Sequence, residues 1–348
     1  MAYRLKLKAH LALEVRRIAL EQIEIARTAL GRHDDRAAAV HDARRSLKRL
    51  RAMLRLVRPA LGETWFKQSN RQLAELGQRL SRSRDLDVMV VTVSKLENGA
   101  GGLPKGVADR LRRCVAHSRS EANAAVAWGS NRSVTTSLRS AEKLFAAERL
   151  RRTDLQVIAQ GLQQSYRKAR RAFQDAYASE TDEAFHNWRK ATQAHWRHMQ
   201  LLARSWPESI GARAAEAKEL SRLLGEDHDL SVLLGFAQAT GSADLSAEDM
   251  AALTAACLSC QRQIRDIAKP HGERLYADRP RQLTKRIVRY WQAAEELTSL
   301  LPPPREPLQS PARRAASQRS LARPGTPGLR AASSKTATRR QSRKRPPD

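Results

Sequence analysis

Two motifs recur in the same order in the two halves of the sequence. The motif HDARR at residues 41–45 is matched 145 residues later by HNWRK at residues 186–190. The motif LSRSRDL at residues 80–86 is matched 144 residues later by LGEDHDL at residues 224–230. A nearly constant offset between two distant motifs indicates an internal duplication, in which each copy is one structural unit.

The spacing of apolar residues is helical from residue 1 to about residue 300. Only five prolines occur in this range, and each is expected at the end or start of a helix. The one candidate strand, residues 88–93, has helical neighbours and is interpreted as helix. We therefore predict an all-α fold of two pseudo-symmetric four-helix bundles, residues 1–150 and 151–301. Helices are expected near residues 2–30, 34–58, 63–82, 85–97, 104–127, 133–148, 153–177, 182–204, 208–224, 228–239, 246–268 and 280–299, with breaks that include Gly31, Gly129, Gly211 and Gly241.

The first copy of the HDARR motif lies on a helix with a basic face and an apolar face. Steps of three and four residues stack one basic stripe, which comprises His41, Arg44, Lys48, Arg51 and Arg55. Arg45 and Arg49 flank this stripe, and Asp42 is the only acid between His41 and Arg58. Since a solvated surface helix normally mixes charges of both signs, we interpret the stripe as an anion-binding ladder rather than a plain solvated face.

The second copy has fewer cations. Its basic face carries His186, Arg189, Lys190 and Arg197. Gln193 stands where the first copy has Lys48. His195 falls among apolar residues, so we predict a hydrogen-bonded core histidine rather than a ligand, and Trp196 borders the basic stripe and is expected to wall a groove.

The second repeated motif places Arg84-Asp85 and His228-Asp229 at predicted helix starts. Asp85 and Asp229 are therefore predicted to cap these helices, to orient a cation of the facing ladder, or to do both. Histidine–aspartate pairs also occur in metal-dependent phosphohydrolases, but such a site needs several further ligands, and acids near these motifs are few. We expect no metal, no cofactor and no catalytic residue.

Residues 302–348 differ in composition from the rest of the chain. They contain nine of the 14 prolines and twelve lysines and arginines, against only two acids. With so little apolar surface to bury, this segment is predicted to be a disordered basic tail. The whole chain carries a net charge of +28, which indicates an acidic partner.

The sequence also gives an expectation for the cellular compartment of the protein. It contains no apolar stretch long enough for a membrane span, and its N-terminus lacks the apolar core of a signal peptide. Cys114, Cys257 and Cys260 fit a reducing compartment better than a disulfide framework. We therefore expect a cytoplasmic protein with no membrane partner, and we interpret the Cys257–Cys260 pair as ordinary helix residues.

At its repeated motifs the chain resembles the CHAD family, named for conserved histidines in an α-helical domain. The family pattern His-x-x-Arg-x-x-x-Lys-Arg-Leu-Arg matches residues 41–51, and His-x-x-Arg-Lys matches residues 186–190. Leu-Gly-x-x-His-Asp-Leu matches residues 224–230, and Gly-x-Arg-Leu-Tyr-Ala-x-x-Pro matches residues 272–280. The resemblance covers about residues 1–300. The chain departs from the family pattern at two places. Gln193 stands where a cation is expected, and His195-Trp196-Arg197 replaces Leu-Arg-Tyr. We therefore expect the second half to bind the ligand less tightly than the first half, or in a different way.

The resemblance implies a central basic pore or groove between the two bundles, with inorganic polyphosphate as the ligand and polyphosphate granules as the location. Many family members are fused to a triphosphate-tunnel phosphatase domain, and no such β-rich region exists here, so we expect a non-enzymatic binding module. The residues expected to contact polyphosphate are His41, Arg44, Arg45, Lys48, Arg49, Arg51, Arg55, Arg84, His186, Arg189, Lys190, Arg197 and His228. Additional candidates are Arg16, Tyr166, Arg170, Lys218 and Arg274.

Two alternatives stay open. The basic tail and the net charge favour a nucleoid-associated or nucleic-acid-binding protein, although aromatic residues for base stacking make up only 5% of the chain. A phosphatase or polyphosphate hydrolase would need a carboxylate cluster or an activated nucleophile, and the sequence offers neither motif.

Overall fold

The computed structural model describes residues 3–32, 35–80, 82–99, 102–125, 129–147, 150, 153–240 and 245–300. These residues form helices and connecting turns without a strand, which confirms the predicted all-α class, and residues 88–93 are helical. The helices are α1 (Leu11–Leu30), α2 (Arg36–Val57), α3 (Glu63–Arg79), α4 (Arg82–Asn98), α5 (Lys105–Ala125), α6 (Gly129–Ala147), α7 (Leu155–Ser179), α8 (Asp182–Leu202), α9 (Pro207–Thr240), α10 (Ala247–Leu275) and α11 (Pro280–Leu300). A short 3-10 turn, Arg58–Ala60, follows α2. The predicted tail, residues 302–348, lies outside the described residues.

Side-chain caps determine where several of these helices begin. The carboxylate of Asp35 accepts a hydrogen bond from the Ala38 amide at 2.9 Å before α2. The Thr181 hydroxyl accepts from the Ala184 amide at 3.3 Å before α8. A reciprocal capping box between Ser246 and Asp249 starts α10. Such caps satisfy amides that have no partner within the helix, and so they define the register of the residues that follow.

Two hydrophobic cores hold the helices together. The larger core joins Leu47, Leu50 and Leu54 of α2 to side chains of α7 and α8, including Tyr166 and Trp188. The smaller core is built from α4, α5, α9 and α10. The residues up to Leu300 form one compact unit. The predicted division at residue 150 and the pseudo-twofold relation stay predictions.

The backbones of α2 and α7 approach each other closely at a glycine. A β-carbon added at Gly161 would lie 1.7 Å from the carbonyl oxygen of Leu56. Only glycine fits such a crossing without a shift of one helix. The α2 helix, which carries the basic stripe, is thereby held directly against α7.

Four local expectations were wrong. The helix expected from residue 2 begins only at Leu11. The helices predicted at 208–224 and 228–239 are one continuous helix, α9, and Gly211 does not interrupt it. Pro270 lies inside α10 rather than at a helix end. Glycine and proline disfavour helix interiors by about 1 and about 3 kcal/mol, but buried apolar residues on both sides of each position outweigh that preference. Among the described residues, no helix combines the length and apolar character that a membrane span requires.

Candidate anion-binding cavity

A cavity of about 590 Å³ lies between α2, α3, α4, α8 and α9. Its cationic lining consists of Arg44, Lys48, Arg51 and Arg55 from α2 and Arg189, Lys190 and Arg197 from α8. His186 and His228 also line it, and the only carboxylates in its described lining are Asp85 and Asp229. The two predicted basic stripes therefore meet across one cavity, which carries a large excess of positive charge.

The basic stripe of α2 is oriented by contacts with α3. Nη1 of Arg44 donates a hydrogen bond to the carbonyl oxygen of Gly77 at 3.2 Å. Nε of Arg51 donates to Oδ1 of Asn70 at 3.1 Å. Both partners are neutral, so these bonds orient the guanidinium groups without neutralising their charge.

On the α8 side of the cavity, contacts within α8 orient the cation Arg197. Nη1 of Arg197 donates to the carbonyl oxygen of Gln193 at 2.9 Å, and its guanidinium lies 4.7 Å from the ring centroid of Trp196. Trp196 supports this cation but is not among the lining residues. Gln193 lines the cavity at the position where the first copy carries Lys48. Arg189 passes over Gly225 of α9, where an added β-carbon would lie 3.7 Å from its guanidinium.

Burial makes the positive charges in the cavity costly. Burial, together with the nearby Arg51 and Arg197, lowers the pKa of Arg55 to about 10. Burial also lowers the pKa of Arg197 to about 10, although Tyr3 opposes the shift. The pKa of Lys190 is lowered, first by burial. A bound anion would stabilise these charged forms, so the cavity is suited to an anionic ligand.

His186 and His228 form a stacked pair at the cavity wall. Their ring centroids are 4.0 Å apart, with an interplanar angle of 27°. Burial and the nearby cations lower the pKa of His186 to about 4. Burial, His186 and nearby cations lower that of His228 to about 3, against a weaker opposing effect of Asp182. Nδ1 of His186 is buried and has no hydrogen-bond partner within the described part of the chain. Both rings are therefore neutral at physiological pH, and an anion beside them would favour their protonation.

A second cavity of about 600 Å³, which no sequence pattern predicted, adjoins the first. The two cavities share Arg55, Lys190 and Ala194 as lining residues. The second adds cations of α7, namely Arg167, Lys168 and Arg171. The basic segment at 167–171 was a visible signal in the sequence, but only the packing of α7 beside α2 and α8 places it next to the predicted stripes.

The family of the chain follows from its sequence. The CHAD domain family profile matches residues 16–238, a range that contains every residue lining the first cavity. The chain belongs to the CHAD domain family. Its CHAD match stops before the predicted C-terminal motif at residues 272–280, which lies on α10, α11 and the turn between them.

Solved structures share the CHAD fold of this chain. The structure of PptA from Streptomyces chartreusis is 16% identical, with a TM-score of 0.54 over 78% of this chain and 100% of that one. The crystal structure of the CHAD domain from the plant Ricinus communis is 18% identical, with a TM-score of 0.50 over 78% of this chain and 95% of that one. No curated protein sequence matches the chain.

Three residues predicted on the CHAD ladder of α2 do not line the cavity. His41 and Arg45 are exposed, and Arg45 pairs with Asp42 at 2.9 Å. Arg49 turns toward α1, where its Nη1 lies 3.4 Å from Oε1 of Gln22 and its guanidinium lies over the Tyr3 ring. Each helix residue turns by about 100°, so Arg45 and Arg49, which flank the stripe, point away from the facing helix. His41 is on the stripe but lies one turn before Arg44, the first residue of α2 in the described lining. The side chain of Arg84, also predicted to bind, lies outside the described residues.

None of the additional candidates lines the cavity. Arg16 and Lys218 are exposed, and Arg274 lies 3.7 Å from Glu216 with 74% of its side chain exposed. Tyr166 is buried in the larger core, where its hydroxyl donates to the carbonyl oxygen of Leu275 at 3.1 Å. Arg170 donates to the carbonyl oxygen of Tyr276 at 3.1 Å. These residues were selected because their helices were expected near the groove, but their side chains face elsewhere.

The capping role predicted for the two aspartates was wrong, while the role predicted for His195 is confirmed. Asp229 lies in the interior of α9, and Asp85 lies inside the first turn of α4 rather than before it. Both carboxylates line the cavity instead. His195 is fully buried, and its Nε2 accepts a hydrogen bond from Nε of Arg213 at 3.3 Å. The described residues contain no group of three or more histidines, cysteines or acids arranged to hold a metal ion.

Proposed function

We propose that this protein binds inorganic polyphosphate in the cavity between α2 and α8 and does not turn it over. The observation that carries the proposal is the described cavity lining, in which seven cations meet two carboxylates. An excess of partly buried cations costs free energy in the absence of a ligand, and a polyanion offsets that cost. The CHAD resemblance implies the same ligand.

A linear chain of phosphates suits the arrangement of the cations. Arg44, Lys48, Arg51 and Arg55 repeat at steps of four, three and four residues along α2, so successive phosphates would meet successive cations. Guanidinium groups bind phosphate oxygens with two parallel hydrogen bonds, whereas Lys48 and Lys190 act as point charges. The cations of α7 would let a long chain continue into the second cavity, where Arg55 and Lys190 are shared.

The first cavity is poorly suited to nucleic acid. Proteins that bind single strands stack bases on aromatic side chains. No phenylalanine, tyrosine or tryptophan occurs in the described lining. We therefore assign polyphosphate to the cavity, and DNA binding through residues 302–348 stays a separate hypothesis. A location at polyphosphate granules would follow from the binding itself.

The decisive experiment is a binding titration of the full chain and of residues 1–301 against long-chain polyphosphate and duplex DNA, at two salt concentrations. We expect residues 1–301 to keep tight polyphosphate binding and to lose DNA at higher salt. Equal, salt-sensitive binding of both polymers would refute a shaped phosphate site. Release of phosphate on addition of Mg²⁺ or Mn²⁺ would contradict the non-enzymatic part of the proposal.

A further inference from the structure

Arg265 of α10 links the two helices that carry the stacked histidines. Its Nε donates to Oδ1 of Asp227 on α9 at 2.7 Å, and its Nη2 donates to Oδ1 of Asp182 on α8 at 2.5 Å. Its Nη1 donates to the carbonyl oxygen of Glu180 at 3.3 Å. The guanidinium also lies 4.1 Å from the ring centroid of Phe185. All three nitrogens of this side chain are thus engaged, and only 16% of it is exposed.

The two carboxylates held by Arg265 lie next to the histidines in sequence. Asp182 begins α8, and His186 follows it by one turn on the same face. Asp227 immediately precedes His228 in α9, and its side chain is only 2% exposed. The distance of 4.0 Å between the two histidine rings therefore depends on the separation of α8 and α9 at this point.

The contacts around Arg265 require an arginine. One guanidinium spans two carboxylates on different helices, whereas a lysine would supply a single point of charge. Gln261, one turn earlier on α10, supports the same junction by donating to Oγ of Ser231 at 2.9 Å. The Tyr177 hydroxyl donates to the carbonyl oxygen of Arg265 at 2.6 Å, which ties this turn of α10 to α7.

We propose that Arg265 is a positioning residue for the polyphosphate cavity: it holds α8 and α9 at the separation at which His186 and His228 line the cavity together. Arg265 does not line the cavity itself. It acts through Asp182 and Asp227, in the way that an outer ligand orients an inner one. This inference rests on the proposed polyphosphate function.

The test uses the full chain with the double substitution Arg265→Met/Asp227→Asn. Removing Arg265 alone would leave the buried Asp227 without a counter-ion, and the double change avoids that unpaired charge. The control is Arg262→Met, an exposed arginine on the same helix whose Nε donates to Leu258 within α10. Two quantities are measured: the NOE between the ring protons of His186 and His228 without ligand, and the affinity for long-chain polyphosphate.

We expect the double variant to keep its helical circular dichroism, to lose the NOE and to bind polyphosphate about tenfold more weakly, as when an orienting partner is removed. The control should match the wild type in both measurements. An NOE that persists, or an affinity that does not change, overturns the proposal.

If the double variant does not fold, Arg265→Lys decides the question. It keeps the charge beside Asp227 but cannot span both carboxylates, so a weaker NOE and a lower affinity are expected. Wild-type properties in this variant would overturn the proposal. A wild-type protein that fails to bind polyphosphate would refute the proposed function instead, and the NOE would still show whether Arg265 sets the geometry of the histidine pair.

Discussion

Removing one cation from each side of the cavity should separate site binding from general charge attraction. The substitutions are Arg44→Gln on α2 and Arg189→Gln on α8, both of which line the cavity. The matched control is Arg45→Gln with Arg274→Gln, whose side chains are 49% and 74% exposed outside the cavity. Both double variants lose the same net charge, so any difference between them reflects position.

The expected magnitude follows from the contacts that are lost. A hydrogen bond to a charged group contributes about 1.5–3 kcal/mol, so two lost contacts should cost about 3–6 kcal/mol. That range corresponds to a loss of at least about 100-fold in affinity. Exposed ion pairs contribute about 0–1 kcal/mol, so the control should retain its folding stability.

Salt dependence supplies a second measure of the same contacts. For nucleic acids, the logarithm of the binding constant falls with the logarithm of salt by about 0.7–0.9 for each phosphate neutralised. If polyphosphate follows the same rule as nucleic acids, the seven cations in the described lining predict a slope of log K against log salt of about −5 to −6 for the wild type. The Arg44/Arg189 variant should reduce its magnitude by about 1.4–1.8.

Isothermal titration calorimetry with long-chain polyphosphate at several salt concentrations measures both quantities. If the control loses as much affinity as the cavity variant, the chain attracts polyanions through its overall charge and the site is wrong. If neither variant changes affinity, polyphosphate binds elsewhere.

Three further predictions concern stability. In the unfolded chain His186 and His228 take up protons near pH about 6.5, whereas in the folded state their lowered pKa values keep them neutral to a lower pH. Thermal stability should therefore fall as the pH is lowered from about 6.5 to about 4. Polyphosphate should reduce that fall in thermal melts, because the bound anion raises the pKa of both rings, and an equal fall with and without ligand would contradict the assignment. Replacing Arg197, which is 6% exposed, with methionine should stabilise the ligand-free protein by up to about 4 kcal/mol, measured as a higher melting temperature, while weakening polyphosphate binding. A lower melting temperature would show that the arginine stabilises the fold. Gly161→Ala should destabilise the protein by about 3 kcal/mol or more in chemical denaturation, because its β-carbon meets the Leu56 carbonyl oxygen, and wild-type stability would show that α2 and α7 can separate without cost.

Much of this protein could be predicted from local patterns in its sequence. The helical spacing of apolar residues predicted the all-α class, and it placed Arg44, Lys48, Arg51 and Arg55 on one stripe of α2. This succeeded because a helix places every third or fourth residue on the same face regardless of its surroundings. The repeated motifs also identified His186 and His228, which lie far apart in sequence and stack in the fold.

Other features depend on which helices pack together, and no local pattern contains that information. Arg45 and Arg49 belong to the same basic run as Arg44, but the position of α8 determines which of them face a cavity. The continuity of α9 through Gly225 rests on buried contacts on either side, which outweigh a glycine's weak preference against helix. The contribution of α7 and the link through Arg265 arise only from contacts between distant segments. Helical periodicity defines the faces of each helix, whereas the packing of complementary surfaces determines which faces meet.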